Sequence, residues 1–497
     1  MPNNFSSMSQ ERHHDLSKAT FLFGEVSLGG CDSLGNQRGI PRPSDLMQLV
    51  PDDVLAEIFQ AGTAKHGDPV DGPIGIDDPP VLPFPHLVSS VSRRWRGVAL
   101  SSPRLWTTIV FNCTGMTNHE GPSLWIERSG ECFLDITISI DPWAWGSGFG
   151  VNLQSAMDQI MPHTSRWRRF TVGSLAGDMV ERVVQHLRAA SAPHLRDFKM
   201  TLSHDGGFGY FRTPTNANST IRDHIFTGGA VSLTEARLIG FYIYTPPLTG
   251  LTDLQLGGTY QATKEITANC LHDLLTASPF LINLELQCLD IVFPLKTTSG
   301  VSDIQIPSLR SLTMNKVSSG VLSFWKLFTL FLLPRLETLA LVSMSQLSEP
   351  PTDISHHSHA TVTVLQLVKC GRIHHSLAES LHSSFPSLIQ LDLVDSSGLI
   401  QEHPHVWSHL KTITITYPVK NGIICDFINN QKEMGLPLDT VNVWSRIRQQ
   451  MEVFKLDYVS KSYLTGLKSA IENVELEEYE QEHLTSEDFD RYGDDSD

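Results

Sequence analysis

The chain has 497 residues, with 37 Lys and Arg against 54 Asp and Glu, which gives a formal net charge of −17 at pH 7. This acidic balance argues against a nucleic-acid-binding protein, because such proteins need clustered basic residues to contact phosphates. A hydrophobic content of 40% is enough for well-packed cores. The most apolar stretch, 321–334, contains Lys326 and stops at Pro334, short of the ~20 residues of a membrane span, and it predicts a buried helix.

The N-terminal part of the chain and the cysteines give no sign of secretion. Seven cysteines are scattered without any C-x-x-C pair, so neither a disulfide framework nor a zinc module is predicted. The first residues lack the apolar segment of a secretory signal. We therefore expect a reducing compartment, the cytoplasm or the nucleus or both. Residues 1–43 are polar and rich in glycine, and they predict an irregular segment.

The first periodic element is PDDVLAEIFQAG, which starts at Pro51. Proline suits the first position of a helix, and two aspartates in the first turn complement the helix dipole. The helix should end near Gly62, and a loop rich in Pro, Gly and Asp should continue to residue 83. The apolar residues that share one face of this helix are Val54, Leu55, Ile58 and Phe59.

A second helix is predicted from about Pro85 to the SSP at 101–103, followed by a turn at Leu105 and Trp106 and a strand in TTIVFN. Its arginines at 93, 94 and 96 lie elsewhere around the helix, where they can remain in water. Two short helices cannot bury their tryptophans alone, so either the rest of the chain or a partner must cover the apolar face. The residues on that face are Leu87, Val88, Val91, Trp95, Val98 and Ala99.

These two elements together resemble an F-box. VPDDVLAEIF is similar to the opening of that motif, and VSRRWRGVALSSPRLWTTI is similar to its second half in fungal F-box proteins. Two departures are Val50 in place of the usual leucine and the long loop at 62–83. The resemblance implies docking on the Skp-type adaptor of a cullin-RING ubiquitin ligase. The contacts that it implies are Val50, Pro51, Leu55, Ile58, Phe59, Val91 and Trp95.

A different regularity, P-x-L-x-x-L-x-L, recurs downstream of residue 190. Its first apolar anchors are Leu195, Leu251, Leu281, Leu309, Leu336, Val362 and Leu388. The last five steps between anchors are 30, 28, 27, 26 and 26 residues, and weaker copies occur at 232–238, 409–415 and 437–443. A period in the twenties with this core is typical of leucine-rich repeats, in which alternate strand residues point inward and a helical stretch covers their backs.

The predicted fold class is an α/β solenoid, a short all-helical F-box followed by an irregular, curved leucine-rich-repeat solenoid. Early repeats should be degenerate, with long insertions such as 203–220. The last 26 residues hold twelve acids and one arginine, a composition that predicts a solvated, disordered tail. The predicted domains are 1–43, irregular; 44–111, F-box; 112–190, linker helices and first degenerate repeats; 191–470, solenoid; and 471–497, acidic tail.

The sequence contains none of the catalytic motifs G-x-G-x-x-G, the Walker loop, H-E-x-x-H and G-x-S-x-G. GSGFG at 146–150 lacks the strand and helix that a phosphate site needs. Histidines at 356, 357 and 359 and at 403, 405 and 409 cluster in loops without further ligands, so they predict no metal site. We expect no enzyme, no catalytic residue, no metal and no cofactor.

The expected function is that of a substrate-recognition adaptor, with the F-box bound to the Skp-type protein and the repeats bound to a protein substrate. Neither nucleic acid nor membrane is an expected partner. The alternative is a leucine-rich-repeat interaction scaffold outside any ligase, in which the F-box-like segment caps the solenoid. A docking surface would leave apolar residues exposed, whereas a cap would bury Leu55, Phe59 and Trp95 against the first repeat.

Overall fold

The structure is a computed structural model. The N-terminal segment at 1–43 that was predicted to be irregular, the insertion at 203–220, the acidic tail, and most of the predicted loop at 62–83 lie outside the residues that it describes. The described residues are 49–66, 84–113, 120–140, 149–175, 177–202, 223–240, 244–259, 263–292, 304–317, 328, 331–344, 359–373, 375–397, 407–416, 421–436, 438–445 and 450–455. Internal contacts divide the chain into a first unit, 1–55, and a second unit, 56–497.

Nine α-helices are present among the described residues. They are α1 (Asp52–His66), α2 (Phe84–Val91), α3 (Arg93–Leu100), α4 (Glu120–Arg128), α5 (Phe149–Ile160), α6 (Gly177–Arg188), α7 (Ala268–Thr276), α8 (His375–Ser384) and α9 (Asn421–Glu433). Two 3-10 helices follow α3 and α5, at Pro103–Trp106 and Met161–Arg166. None of the described helices is both long and apolar enough to cross a membrane.

One large sheet dominates the second unit. Its strands in spatial order are β1 (Thr108–Asn112), β2 (Leu134–Ser139), β3 (Trp167–Leu175), β4 (Asp197–Leu202), β6 (Glu235–Ile239), β8 (Asp253–Gly257), β10 (Asn283–Gln287), β13 (Ser311–Asn315), β15 (Thr338–Val342), β16 (Val364–Arg372), β17 (Gln390–Ser397), β18 (Thr412–Thr416), β19 (Thr440–Ser445) and β20 (Gln450–Lys455). Neighbours are parallel from β1 to β19, and β20 is antiparallel to β19. The strands therefore form a 13-stranded parallel array with one antiparallel strand added.

Every copy of the P-x-L-x-x-L-x-L template contributes one strand to this sheet. The seven anchors are fully buried, and so are the anchors Leu233, Leu410 and Leu438 of the weaker copies. The inward residues pair in register along the sheet, as in the run Leu254, Leu284, Leu312, Leu339, Leu365 and Leu391. The alternate residues face outward, and most of them are polar or partly exposed, as the two-residue period of a strand requires.

The layer behind the sheet departs from the prediction. Several connections contain short strands where helices were expected, and these strands pair in three separate two-stranded sheets. The pairs are β5 (Asp223–His224) with β7 (Tyr244–Thr245), β9 (Lys264–Thr267) with β11 (Leu289–Val292), and β12 (Ile304–Gln305) with β14 (Phe331–Leu332). Phe331 and Leu332 belong to the stretch predicted as a buried helix, so that prediction is wrong for these two residues.

The predicted fold class, an all-helical F-box followed by a curved leucine-rich-repeat solenoid, is therefore wrong. The structure is an α/β fold built on one large parallel sheet with nine α-helices among the described residues. The physical reason is that backbone pairing runs without a break from β1, directly after Trp106, to the end of the sheet. The strands that directly follow α3 and Trp106 thus join the same sheet as the strands formed by the P-x-L-x-x-L-x-L copies.

The main apolar core follows the inner face of the sheet. One continuous cluster of buried residues extends from Ile109 to Val441. The buried residues of the helical segment at 56–106, including Phe59, Val98 and Trp106, are not members of that cluster. The helical segment consequently has a small core of its own.

Three neighbouring strands end in the same left-handed turn. Cys288, Lys316 and Ser343 each follow a strand with φ near +50° (48°, 49° and 51°). Their backbone N–H groups donate to carbonyl groups of the next strand: Cys288 to Asn315, Lys316 to Val342 and Ser343 to Val368, at 2.7, 2.9 and 2.7 Å. The interstrand hydrogen bond holds a conformation that costs a residue with a Cβ about 1–2 kcal/mol.

Candidate functional site

The first helix of the candidate docking segment begins one residue later than predicted. Asp52 is the first helical residue, and the N–H of Leu55 donates to the carbonyl of Pro51 at 3.0 Å. Pro51 therefore precedes the helix and accepts its first hydrogen bond. Asp53 is in the first turn, where its Oδ1 accepts from the N–H of Val54 at 2.9 Å. A carboxylate here satisfies a free N–H group and complements the helix dipole.

The helix also continues past Gly62, where it was predicted to end. Gly62 lies inside α1, which reaches His66. A Cβ at this position would collide with the ring of Phe84, the first residue of α2. The glycine therefore permits close packing of the two helices, and it is not a helix stop.

The second predicted helix is two helices, divided at Ser92. This residue is extended, with φ −156° and ψ 166°, and its Oγ accepts from the N–H of Trp95 at 3.1 Å. Serine is a favoured N-cap because its side chain satisfies one of the free N–H groups of the first turn. Across the break, Arg96 Nε donates to the carbonyl of Ser89 at 2.9 Å. The cap begins α3 in a new direction, and the arginine connects the two helices.

Four of the seven predicted docking residues belong to the second unit. Phe59 is buried, and its ring centroid lies 5.0 Å from that of the partly buried Trp95, with the planes tilted by 54°. Ile58 and Val91 are 50% and 61% exposed. Leu87, one turn before Val91 on α2, is also exposed. The aromatic pair thus supports the segment from within, and the aliphatic side chains remain open to solvent.

The other three predicted docking residues belong to the first unit. Pro51 is exposed, Val50 is partly buried, and Leu55 is fully buried. Val54, which the helical periodicity had placed beside Leu55, is 44% exposed. A partner could reach Pro51 and Val54 in the free protein, whereas the side chain of Leu55 is inaccessible.

Trp106 has a structural environment that differs from that of Trp95. It is buried, its Nε1 donates to the carbonyl of Ala99 at 2.9 Å, and its ring meets Trp125 of α4 edge to face at 5.5 Å. The guanidinium of Arg128 lies 4.5 Å from its ring centroid. A cation over an indole face is attracted by the ring quadrupole. Trp106 therefore joins α3 to α4.

His86 completes this aromatic group, with ring centroids 6.1 Å from Trp106 and 5.4 Å from Trp125. Burial of the imidazole, and secondly the charge of Arg128, lower the pKa of His86. Both effects disfavour the protonated form of the imidazole. The three rings pack as an aromatic cluster beside Arg128.

The basic residues near Trp95 form no cluster around a buried site. Arg93, Arg96 and Arg104 are exposed. His359, from one of the loop histidine groups, packs against the ring of Phe328 at 4.4 Å, and His409 is exposed. The other histidines of these groups, at 356, 357, 403 and 405, and most of GSGFG lie outside the described residues. Among the described residues, no group of three His, Cys, Asp or Glu side chains could hold a metal ion.

Sequence reasoning did not identify the contact of Trp106 with α4. The signal was present in LWIERSG, where Trp125 and Arg128 are three residues apart and therefore share one face of a helix. Sequence reasoning also did not include Leu87 among the docking residues, although Leu87 lies on the same predicted face as Val91.

Among family models and among curated proteins, no match to this chain was found.

Proposed function

We propose that this chain is the substrate-recognition subunit of a Skp-cullin-F-box type of ubiquitin ligase. In this proposal the helical segment at 56–106 binds the Skp-type adaptor, and the region built on the large sheet binds a protein substrate. The chain itself catalyses nothing. It raises the local concentration of substrate lysines near a ubiquitin-charged enzyme that is bound elsewhere in the complex, which is a proximity effect.

The exposure of Ile58 and Val91 carries this proposal. Both residues are among the contacts that the F-box resemblance implies, and both are open to solvent on a segment with its own small core. Large apolar side chains that are exposed favour a protein-binding surface, because a partner removes them from water. In this proposal, recognition of the substrate takes place in the cytosol or the nucleus, where adaptors of this kind act.

The test is a binding measurement between the intact chain and a purified Skp-type adaptor. We expect a complex, and we expect Ile58→Ala together with Val91→Ala to weaken it about 10- to 100-fold, because each truncation of an apolar contact costs about 1 kcal/mol or more. Both side chains are exposed, so the variant should keep its fold. Val231→Ala, at a residue 84% exposed outside the segment, is the matched control and should bind normally. An intact, folded chain that binds no adaptor would refute the proposal.

A second candidate is an interaction scaffold outside any ligase, in which the helical segment only covers one end of the sheet region. The contact of Trp106 with Trp125 and Arg128 favours it, because these residues join the segment to α4. The burial of Leu55 and Phe59 is equally compatible with it. The same binding measurement separates the two candidates, since a scaffold of this kind has no need of the adaptor.

A further inference from the structure

The outward face of the large sheet is divided into a charged part and an uncharged part. From β2 to β10 the outward positions carry eight charged residues: Asp135, Arg169, Asp197, Lys199, Glu235, Arg237, Asp253 and Glu285. Several form ion pairs, such as Lys199 with Asp197 at 3.2 Å and with Glu235 at 3.4 Å. This part of the face has the mixed charges of an ordinary solvated surface.

From β13 to β19, the paired outward positions contain a single charged residue, Asp392. The other outward residues whose side chains the structure describes are small, amide or aliphatic, and they include Ser311, Thr313, Asn315, Thr338, Ala340, Val342, Val364, Gln366, Val368, Gln390, Val394, Ser396, Thr412, Thr414, Thr440 and Asn442. Depletion of charge distinguishes the centre of a protein interface from the remaining surface. We call these outward positions of β13 to β19 the uncharged strip.

The width of the uncharged strip suits an extended peptide. It spans six neighbouring strands, and at ~4.8 Å between strands this is about 24 Å. An extended chain advances ~3.3 Å per residue, so about seven residues would cross the strip.

A cavity of about 220 Å³ lies within the strip, lined by Gln366, Val368, Asp392, Val394 and Thr414. Val368 and Val394 are paired in register and supply its apolar wall. Asp392 is 8% exposed. Its carboxylate accepts from Gln366 Nε2 at 2.9 Å and from Gln390 Nε2 at 3.0 and 3.1 Å. Two amides therefore fix the carboxylate within the cavity.

Asp392 has neutral hydrogen-bond partners but no cation as a partner in the part of the chain that the structure describes. Among the described residues, no Lys, Arg or His side chain forms an ion pair with it. A carboxylate removed from water in this way is normally compensated by an opposite charge as well as by hydrogen bonds. A carboxylate can accept about four hydrogen bonds, and a lysine or arginine presents several donors in a charge-assisted bond. A cation entering the cavity would supply the missing charge.

We propose that the uncharged strip binds an extended segment of a partner protein, and that a lysine or arginine of this segment enters the cavity and pairs with Asp392. The valine wall would contact the aliphatic stem of that side chain, as such stems pack along apolar surfaces. The inference deepens the substrate-binding half of the proposed function, and it adds the chemistry of the segment that is recognised.

The test uses fluorescein-labelled nonapeptide pools with Ala, Ser, Thr and Val at the flanking positions. The central residue is arginine, lysine, norleucine or glutamate, and binding to the full chain is measured by fluorescence anisotropy. We expect the arginine and lysine pools to bind at least ~10-fold more tightly than the norleucine pool, and the glutamate pool to bind least, because only the cations form a charge-assisted pair.

Two variants locate the effect at the cavity. Asp392→Asn keeps the shape and removes the charge, and it should abolish the preference for cations. Val368→Lys changes a partly exposed wall residue and provides the cation from the chain itself, so it should also abolish the preference. Glu235→Gln removes an outward carboxylate from the charged part of the face and is the control, which should leave the preference unchanged.

Three results would overturn the proposal: equal binding of the arginine and norleucine pools, a cation preference that persists in Asp392→Asn, or no binding of any pool at millimolar concentration. Before the binding measurement, each variant should unfold at the same temperature as the parent chain, which shows that its fold is intact. Because these measurements use no adaptor, their failure would leave the adaptor-binding half of the proposed function intact. Failure of the adaptor measurement would likewise leave the peptide site standing.

Discussion

Trp106→Phe should loosen the helical segment without unfolding the large sheet. The indole of Trp106 connects α3 to α4 through the carbonyl of Ala99, the ring of Trp125 and the guanidinium of Arg128. The core of the helical segment is separate from the cluster that begins at Ile109. A weakened connection should therefore increase local opening of residues 84–106, while the strands remain protected.

The expected magnitude follows from the contacts that phenylalanine cannot make. The hydrogen bond to Ala99 is worth about 1 kcal/mol net. Its loss leaves no unsatisfied acceptor, because the N–H of Ser102 also donates to that carbonyl at 3.2 Å. The weaker cation contact with Arg128 and the smaller ring cost about 1 kcal/mol more. A total of about 2 kcal/mol corresponds to a ~30-fold increase in the open population.

Hydrogen–deuterium exchange measured by mass spectrometry tests this value. Peptides from 84–106 should exchange ~30-fold faster in Trp106→Phe, and peptides from β10 to β17 should be unchanged. Trp167→Phe is a matched control, because Trp167 is also buried but its Nε1 has no acceptor among the described residues. It should leave exchange in 84–106 at the parent rate. Unchanged exchange in that segment for Trp106→Phe, or equal acceleration throughout the sheet, would refute the reasoning.

Two further predictions concern the sheet. Ser343→Gly should raise the free energy of unfolding by about 0.5–1 kcal/mol in urea titrations. Glycine removes the steric cost of φ 51°, and the greater entropy of the unfolded chain offsets part of this gain. A lower urea midpoint for the variant would contradict this. Glu285→Gln tests pH dependence. Burial raises the pKa of Glu285 despite the opposing charge of Arg237 and a hydrogen bond from Gln255. The folded state therefore holds the Glu285 proton more tightly than the unfolded state, so the contribution of this group to stability is fully present below its unfolded pKa of about 4 and is lost as pH rises through the folded pKa. The variant lacks this contribution, so its free energy of unfolding should increase relative to that of the parent between pH 4 and 7, and identical pH profiles would exclude an effect of Glu285.

The register of the sheet could be predicted from the sequence. The anchor steps of 28, 27 and 26 residues from Leu281 to Leu309, Leu336 and Val362 equal the steps between the paired strand residues Leu284, Leu312, Leu339 and Leu365. This is possible because a strand has a fixed two-residue period and its buried leucines are in constant positions relative to the anchor.

The layer behind the sheet and the details of the helical segment could not be predicted in this way. Phe331 and Leu332 are as apolar as a buried helix requires, and only their pairing with Ile304 and Gln305 selects a strand. Short apolar runs have the same pattern in both states, so tertiary contacts decide. Sequence alone likewise predicts a helix stop at Gly62, because it does not show that the ring of Phe84 approaches this residue.

The constant register has a consequence for how chains of this kind can change in length during evolution. The anchor steps from β8 to β15 are 30, 28 and 27 residues and so differ by one to three residues, yet no slip separates the paired strands. The connections absorb the difference. Insertions and deletions should accumulate between strands, where one or two residues leave every leucine in place. A single residue gained or lost inside a strand would turn its apolar side chains outward, and selection should remove it.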